Sequence, residues 1–349
     1  MNLSDIVPPL PVLQFIIFSI FVVLLTGYAL LDGFDLGVGI LHMFSKKDEE
    51  RRLMLNSIGP VWDGNEVWLV TAGGALFAGF PDVYATIASA FYIPIMILLS
   101  GLIFRAVAIE FRSKQPMAWW RWMWDILFTL ASFIIAFFLG VALGNLIRGI
   151  PLDDTKEFIG NFDALIHPYA ILVGFLTVSL FTMHGSIYLM MKTEGEFHDK
   201  MRKWVNPSII VFMLFYVFTT MATLIFQPHM IEILRTRPQL FLVALIDLLA
   251  IAYIPRAIYR GWDALAFACS CLNIICLMAL WGFGTYPVAV RAINDPENLS
   301  LTIYNSSSSE LTLSILLLMA IIGVPVVISY TIAIYYIFRG KVKLDSHSY

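Results

Sequence analysis

Charge is what this sequence has least of. Only 13% of its 349 residues are Asp, Glu, Lys or Arg, about half the ~25% of an ordinary soluble domain. Hydrophobic residues make up 59%, and mean hydropathy is +0.81, which excludes a soluble globular chain. The net charge of −3 says nothing about nucleic acid, but there is no basic stripe, and no nucleic-acid partner is expected. Cysteine is scarce too. Cys269, Cys271 and Cys276 share one apolar run without a CxxC pair, so they read as small buried hydrophobes rather than as a disulfide framework or thiolate metal site. No Gly-rich phosphate loop, nucleophile–base motif or CxxCH occurs, and no catalytic or metal-ligating residue is assigned. The first apolar run follows no Lys or Arg and far exceeds the core of a cleaved signal peptide.

What is present is a series of long apolar runs. A bilayer core of ~30 Å takes about 20 helical residues. Nine runs approach or exceed that length: 12–40, 62–80, 84–111, 124–147, 164–191, 205–226, 239–259, 263–284 and 310–338. They are continuous rather than alternating, which rules out a strand-built barrel. The chain is predicted to be an all-α polytopic membrane protein, one transmembrane domain over 1–349 with nine helices. The longest polar stretch, 285–309, ends in NSSSSE and reads as a loop. With the N-terminus outside, sixteen Lys and Arg fall on the inner side. Five fall outside (Arg148, Lys156, Arg235, Arg237 and Arg291), and Arg105 lies within a run. Positive charge favours the cytoplasmic side, so the N-terminus is expected outside and the C-terminus in the cytoplasm.

One stretch stands out, WDGNEVW at 62–68. Asp63 and Glu66 are three apart, share a helix face and fall in the first turn of the second predicted helix, where negative charge is favoured. Near the inner end of the first helix, Asp32 and Asp35 are also three apart, followed by Gly37 and Gly39, which suit close packing. Arg105 lies near the inner end of the third. Four acids and one arginine from three consecutive helices are thus predicted to meet at one depth. Ionisable groups inside a membrane cost several kcal/mol and pair or line a pathway. One arginine cannot neutralise four carboxylates, so at least one carboxyl is expected to hold a proton and to be able to pass it on. His42 follows Asp35 by seven residues, on the same face and nearer the cytoplasm.

Blander readings fit the same residues. Asp63 can be an N-cap, Trp62 and Trp68 an interfacial aromatic belt, and the acids with Arg105 a salt-bridge knot serving assembly alone. A proton- or cation-coupled secondary transporter could also use such acids, although transporters place them at the bilayer midplane beside broken helices. His184, a lone histidine well inside a run, is expected to be hydrogen-bonded rather than a haem ligand. Asp125, Asn145 and Asp247 are expected to hydrogen-bond between helices.

The stretches GYALLDGFDLGVGIL, RRLMLNSIGPVWDGNEVWLVTAGGALFAGFPDVYA, GLIFRAVAIEFRSK, WMWDILF, GVALGNLIRGIP and HGSIYLMMKTEGE occur in this order. Together they resemble subunit II of cytochrome bd-type quinol oxidases. The resemblance is dense from Gly27 to Glu196 and beyond that rests on the hydrophobic pattern. It implies a nine-helix, multi-pass protein of the bacterial inner membrane, tightly paired with a haem-bearing subunit I. That partner would carry the haems and the quinol-oxidising loop, this subunit would ligate no haem, and the complex would reduce oxygen to water with cytoplasmic protons in an electrogenic reaction. The resemblance also implies a proton route at Asp32, Asp35, Asp63, Arg105 and Glu66, and a structural quinone near Trp62, Asp63, Asp32 and Arg105. Family members vary between Glu and Gln where this chain has Glu66. Small single-helix accessory subunits and membrane lipid complete the expected partners.

Overall fold

The computed structural model describes residues 8–344, apart from the side chain of Leu234. The helices are α1 (Leu10–His42), α2 (Asp48–Ile58), α3 (Trp62–Gly79), α4 (Pro81–Ala90), α5 (Tyr92–Phe111), α6 (Ala118–Arg148), α7 (Pro168–Lys192), α8 (Gly195–Phe226), α9 (His229–Thr236), α10 (Phe241–Tyr259), α11 (Asp263–Thr285) and α12 (Glu310–Ile337). A small antiparallel hairpin of β1 (Val288–Val290) and β2 (Leu301–Thr302) orders part of the stretch expected to be loop. Among the described residues, eight helices are long and apolar enough to cross a membrane: α1, α5, α6, α7, α8, α10, α11 and α12.

The second predicted run, 62–80, forms α3 but falls outside those eight, because Asp63, Asn65 and Glu66 at its start lower its mean hydropathy. The run predicted at 84–111 is two helices. Pro81 opens α4, and α4 gives way to α5 at Phe91, whose backbone leaves the helical region. The run at 124–147 begins at Ala118, and that at 205–226 begins at Gly195, through the polar stretch GEFHDKMRKW. Hydropathy marks only the lipid-embedded part of a helix, and the backbone ladder continues past it. The run at 164–191 starts instead at Pro168, where Pro suits the first helical position and the His167 side chain accepts from the Tyr169 N–H. Two short helices were not expected. Asp48, Glu49 and Glu50 in the first turn of α2 complement its dipole, while Met54, Leu55 and Ile58 are buried beneath it. The other is α9, between α8 and α10.

The axis of the bundle is α1, which packs on α3, α6, α7, α11 and α12. Every residue from Asp32 to His42 is buried. Its approach to α7 is set by two glycines. A Cβ on Gly185 would stand 2.6 Å from the Gly37 carbonyl carbon, and one on Gly37 would collide with the Phe181 carbonyl oxygen. The two backbones are in contact, which small residues permit between membrane helices. Helix α3 runs antiparallel to α1. It begins beside Asp35, where the Asn65 side chain donates to the Leu31 carbonyl at 3.2 Å. It ends where the Gly79 carbonyl accepts from Ser308 N–H at 2.9 Å, and the adjacent Ser307 Oγ accepts from Gln14 at the start of α1. At the bundle's margin, α12 has Leu313 as its only buried residue among those described.

Gly37→Ala is expected to force α1 and α7 apart at a cost of ~1–3 kcal/mol, the usual range for overpacking. It should lower the thermal midpoint and the yield of folded protein. Gly73→Ala is the control, since a Cβ there meets nothing within 4 Å, and both readouts should stay unchanged.

Candidate functional site

Four helices build one polar cluster in a largely apolar interior. Asp32 and Asp35 come from α1, Asn65 and Glu66 from α3, Arg105 from α5 and Tyr335 from α12. Arg105 is fully buried and is shared by two acids. Its Nη2 donates to Asp32 Oδ1 at 2.5 Å and to Glu66 Oε1 at 2.5 Å, and its Nε donates to the same Glu66 oxygen at 3.1 Å. Asp32 is fully buried, whereas the Glu66 side chain is 20% exposed. The cluster therefore runs from the protein interior to its surface.

Asp35 has different neighbours. It is also fully buried, and its Oδ2 accepts from Asn65 Nδ2 at 2.7 Å. Asn65 Oδ1 accepts in turn from the Tyr335 hydroxyl at 3.1 Å. No cation pairs with Asp35 among the described residues. Asp32 Oδ2, Asp35 Oδ1, Arg105 Nη1 and the Tyr28 hydroxyl are buried and make no hydrogen bond among the described residues. Unused acceptors and donors thus sit one helical turn apart along α1, at Tyr28, Asp32 and Asp35.

Of the five residues predicted to form a proton route, four converge. Asp32, Glu66 and Arg105 form one ion cluster, and Asp35 lies beside it through Asn65. Asp63 does not join by contact. It is exposed at the start of α3 and pairs with neither Arg105 nor the α1 aspartates, because positions 63 and 66 point to different surroundings once α3 packs on α1. Asp63 is not the N-cap either: that position is Val61, and no side chain caps the helix. Trp62 is half-buried against the main apolar cluster. Asn65 and Tyr335 escaped the sequence reading, although Asn65 stands inside the motif itself. Nothing in the spacing shows that Asn65, rather than Asp63, faces Asp35.

A second cluster lies about 10 Å further along α1, seven residues at 1.5 Å each. His42 Nε2 is 2.6 Å from Asp125 Oδ1. Asp125 also accepts from Arg112 Nε at 2.5 Å and from Arg51 Nη1 at 2.8 Å, and Arg112 reaches Asp48 at 2.7 Å. These contacts fasten α1, α2, the end of α5 and α6. Asp125 was expected to hydrogen-bond between helices and does so as the centre of an ion cluster. Asn145 donates to the Leu165 carbonyl at 2.9 Å, and Asp247 accepts from the Tyr216 hydroxyl at 2.9 Å. His184 Nε2 donates to the Leu30 carbonyl at 3.1 Å, and its Nδ1 is 2.8 Å from Ser270 Oγ. Both ring nitrogens are thus engaged.

A family model described as cytochrome bd terminal oxidase subunit II matches residues 13–338. The chain belongs to this family. The match runs far beyond Glu196, where the motif resemblance thinned. Over 365 residues the chain is 33% identical to the cytochrome bd-I ubiquinol oxidase subunit 2 of Escherichia coli strain K12, covering 96% of each. It is 33% identical over 331 residues to the cytochrome bd ubiquinol oxidase subunit 2 of Bacillus subtilis strain 168, covering 93% of this chain and 96% of that one. Its fold is similar to a chain of the bd oxidase from Geobacillus thermodenitrificans, with a TM-score of 0.78 at 18% identity over 94% of this chain and 99% of that one. As a bd oxidase subunit II, the chain is a multi-pass component of a respiratory quinol oxidase of the bacterial inner membrane, partnered by a subunit I.

Removing one partner of a buried ion pair costs about 3–5 kcal/mol, because the remaining charge stays buried. Arg105→Met should therefore sharply reduce the yield and thermal midpoint of the assembled complex. Adding Asp32→Asn and Glu66→Gln to it should restore most of both. A single Arg105→Met variant as stable as the parent would show that the cluster does not hold the helices together.

Proposed function

We propose that this chain is the non-haem subunit of a bd-type quinol:oxygen oxidoreductase, and that its acid cluster carries cytoplasmic protons toward the oxygen-reducing centre of the haem-bearing subunit I. The observation that carries this reading is Asp35. It is a fully buried carboxyl at membrane depth, held by neutral Asn65, beside an arginine already committed to two other acids. Protonating Asp32 or Glu66 would break an ion pair with Arg105. Protonating Asp35 breaks none, and its Oδ1 has no competing partner among the described residues. Exposed Asp63 is the mouth of the route, and partly exposed Glu66 stands between the mouth and the buried aspartates. Uptake from the inner side makes turnover electrogenic.

This reading includes nine spans, with the N-terminus outside and the C-terminus in the cytoplasm. The cluster supports counting α3. Arg105 lies late in α5 and Asp32 lies late in α1, yet they touch, and Glu66 of the first turn of α3 touches Arg105. Helices α1 and α5 therefore run the same way, and the chain must cross between them through α3. The split of sixteen inner to five outer Lys and Arg sets the direction.

Haem binding is assigned to the partner, in line with the hydrogen bonds that occupy both nitrogens of His184. A structural quinone fits the residues at the mouth. Arg105 Nη1 is an unused donor suited to a quinone carbonyl, and Trp62 offers a half-buried flat apolar face. Lipid and small single-helix accessory subunits would cover the exposed apolar faces of α8, α10 and α12.

Asp35→Asn keeps the shape and removes the titration. It should lower oxygen consumption at least ~10-fold, the low end for losing a proton-transfer group, with haem content of the same preparation unchanged. Asp63→Asn should act in the same direction and more weakly, since solvent can replace a group at the mouth. Full turnover in an assembled Asp35→Asn complex would reject the relay. For the topology, reporter fusions at Tyr349 should read as cytoplasmic and those within 285–309 as external; the reverse pattern would place the cluster on the wrong side for proton uptake.

A further inference from the structure

The opposite end of the bundle carries a site of the opposite charge. Helix α9 lies across the ends of α6 and α11, and its contact depends on Gly284, whose missing side chain leaves room for Met230. Two cavities flank α9 and share Ile233 and Tyr286 as their partition. One, of about 290 Å³, is lined in part by His229, Glu232, Thr236 and Arg291. The other is an apolar groove of about 430 Å³ between α1 and α11, lined by Phe15, Phe18, Val22, Val23 and Phe283, with Arg237 at its rim.

The charges of these walls do not cancel. Arg237 and Arg291 form no ion pair and no side-chain hydrogen bond within the described residues. Glu232 is the one carboxylate lining either cavity. His229 donates from Nε2 to the Ile147 carbonyl at 2.9 Å, and burial together with the nearby Arg291 charge holds its pKa below the usual value, so it adds no charge near neutrality. Arg235 lies on α9 itself. The groove has the length of a lipid tail. From Phe15 to Val23 is eight residues, about 12 Å of helix, against about 15 Å for one leaflet of a ~30 Å hydrocarbon core.

We propose that this end of the chain binds one anionic phospholipid, with an acyl chain in the α1–α11 groove, the phosphate held at its rim by Arg237, and Arg291 across the Ile233–Tyr286 partition adding longer-range attraction. An amphipathic helix lying in the interface beside near-surface arginines is suited to anionic lipid. The site itself depends on neither the proton route nor the orientation; only its assignment to the outer leaflet rests on the topology proposed above.

The test uses the purified, delipidated oxidase complex in neutral detergent, titrated with dioleoyl phosphatidylglycerol or dioleoyl phosphatidylcholine, with retained lipid counted by native mass spectrometry. One phosphatidylglycerol per chain should be held in preference to phosphatidylcholine. Arg237→Gln and Arg291→Gln should each weaken it about fivefold, the factor equivalent to ~1 kcal/mol per near-surface arginine. Val23→Trp, at an exposed groove position, keeps both charges and should displace the tail, weakening either lipid. Equal retention of the two lipids, or undiminished phosphatidylglycerol binding in the double arginine variant or in Val23→Trp, would overturn the proposal. Because binding is read in micelles, an inverted topology would leave this result standing and change only the leaflet.

Discussion

A single guanidinium holds one half of this protein in register. Arg105 is fully buried and bonded to two carboxylates from two other helices. A lone charge at that depth would cost several kcal/mol, so α1, α3 and α5 are fixed in rotation and height by the need to bring Asp32, Glu66 and Arg105 together. A slide of one turn in any of the three would leave an uncompensated charge in an apolar surround. The arrangement also fixes Asn65, one position from Glu66, and through it Asp35 and Tyr335.

Around this point the structure is rigid for independent reasons. On one side, the backbone contact of Gly37 with α7 leaves no room for α1 to shift. Further along α1, Asp125 gathers His42, Arg51 and Arg112 and ties four segments together. The two ion clusters differ in composition. Arginines match or outnumber acids around Asp125 and Asp48, whereas acids outnumber the single arginine around Asp32. The first arrangement suits a latch. The second leaves a carboxyl without a counter-charge, which is the arrangement a proton carrier needs.

The two ends of the bundle are thus specialised by charge. One end concentrates acids within the bundle around Asp32 and gathers arginines around Asp125 and Asp48. The other end holds the two cavities beside α9, where Arg237 and Arg291 face a single carboxylate, Glu232.

Much of this was legible in the residues alone. Apolar runs of about 20 residues announce membrane helices because backbone polar groups must be satisfied internally in lipid. The depth of Asp32, Asp35, Glu66 and Arg105 follows from their places within those runs, and the family follows from long ordered motifs. What the runs could not show was which face of each helix meets which neighbour. Residues three apart on a helix differ by about 60° in direction, enough for Asp32 to face α5 and Asp35 to face α3. Asp63 and Asn65 differ by about 160°, so packing turned one outward and the other inward. Helix α3 is apolar on nearly every side beyond its first turn, so its pattern carries no preferred face. Its rotation was decided by the Asn65–Asp35 hydrogen bond and the Arg105–Glu66 ion pair, interactions between residues 30 and 39 positions apart that exist only once the helices are packed.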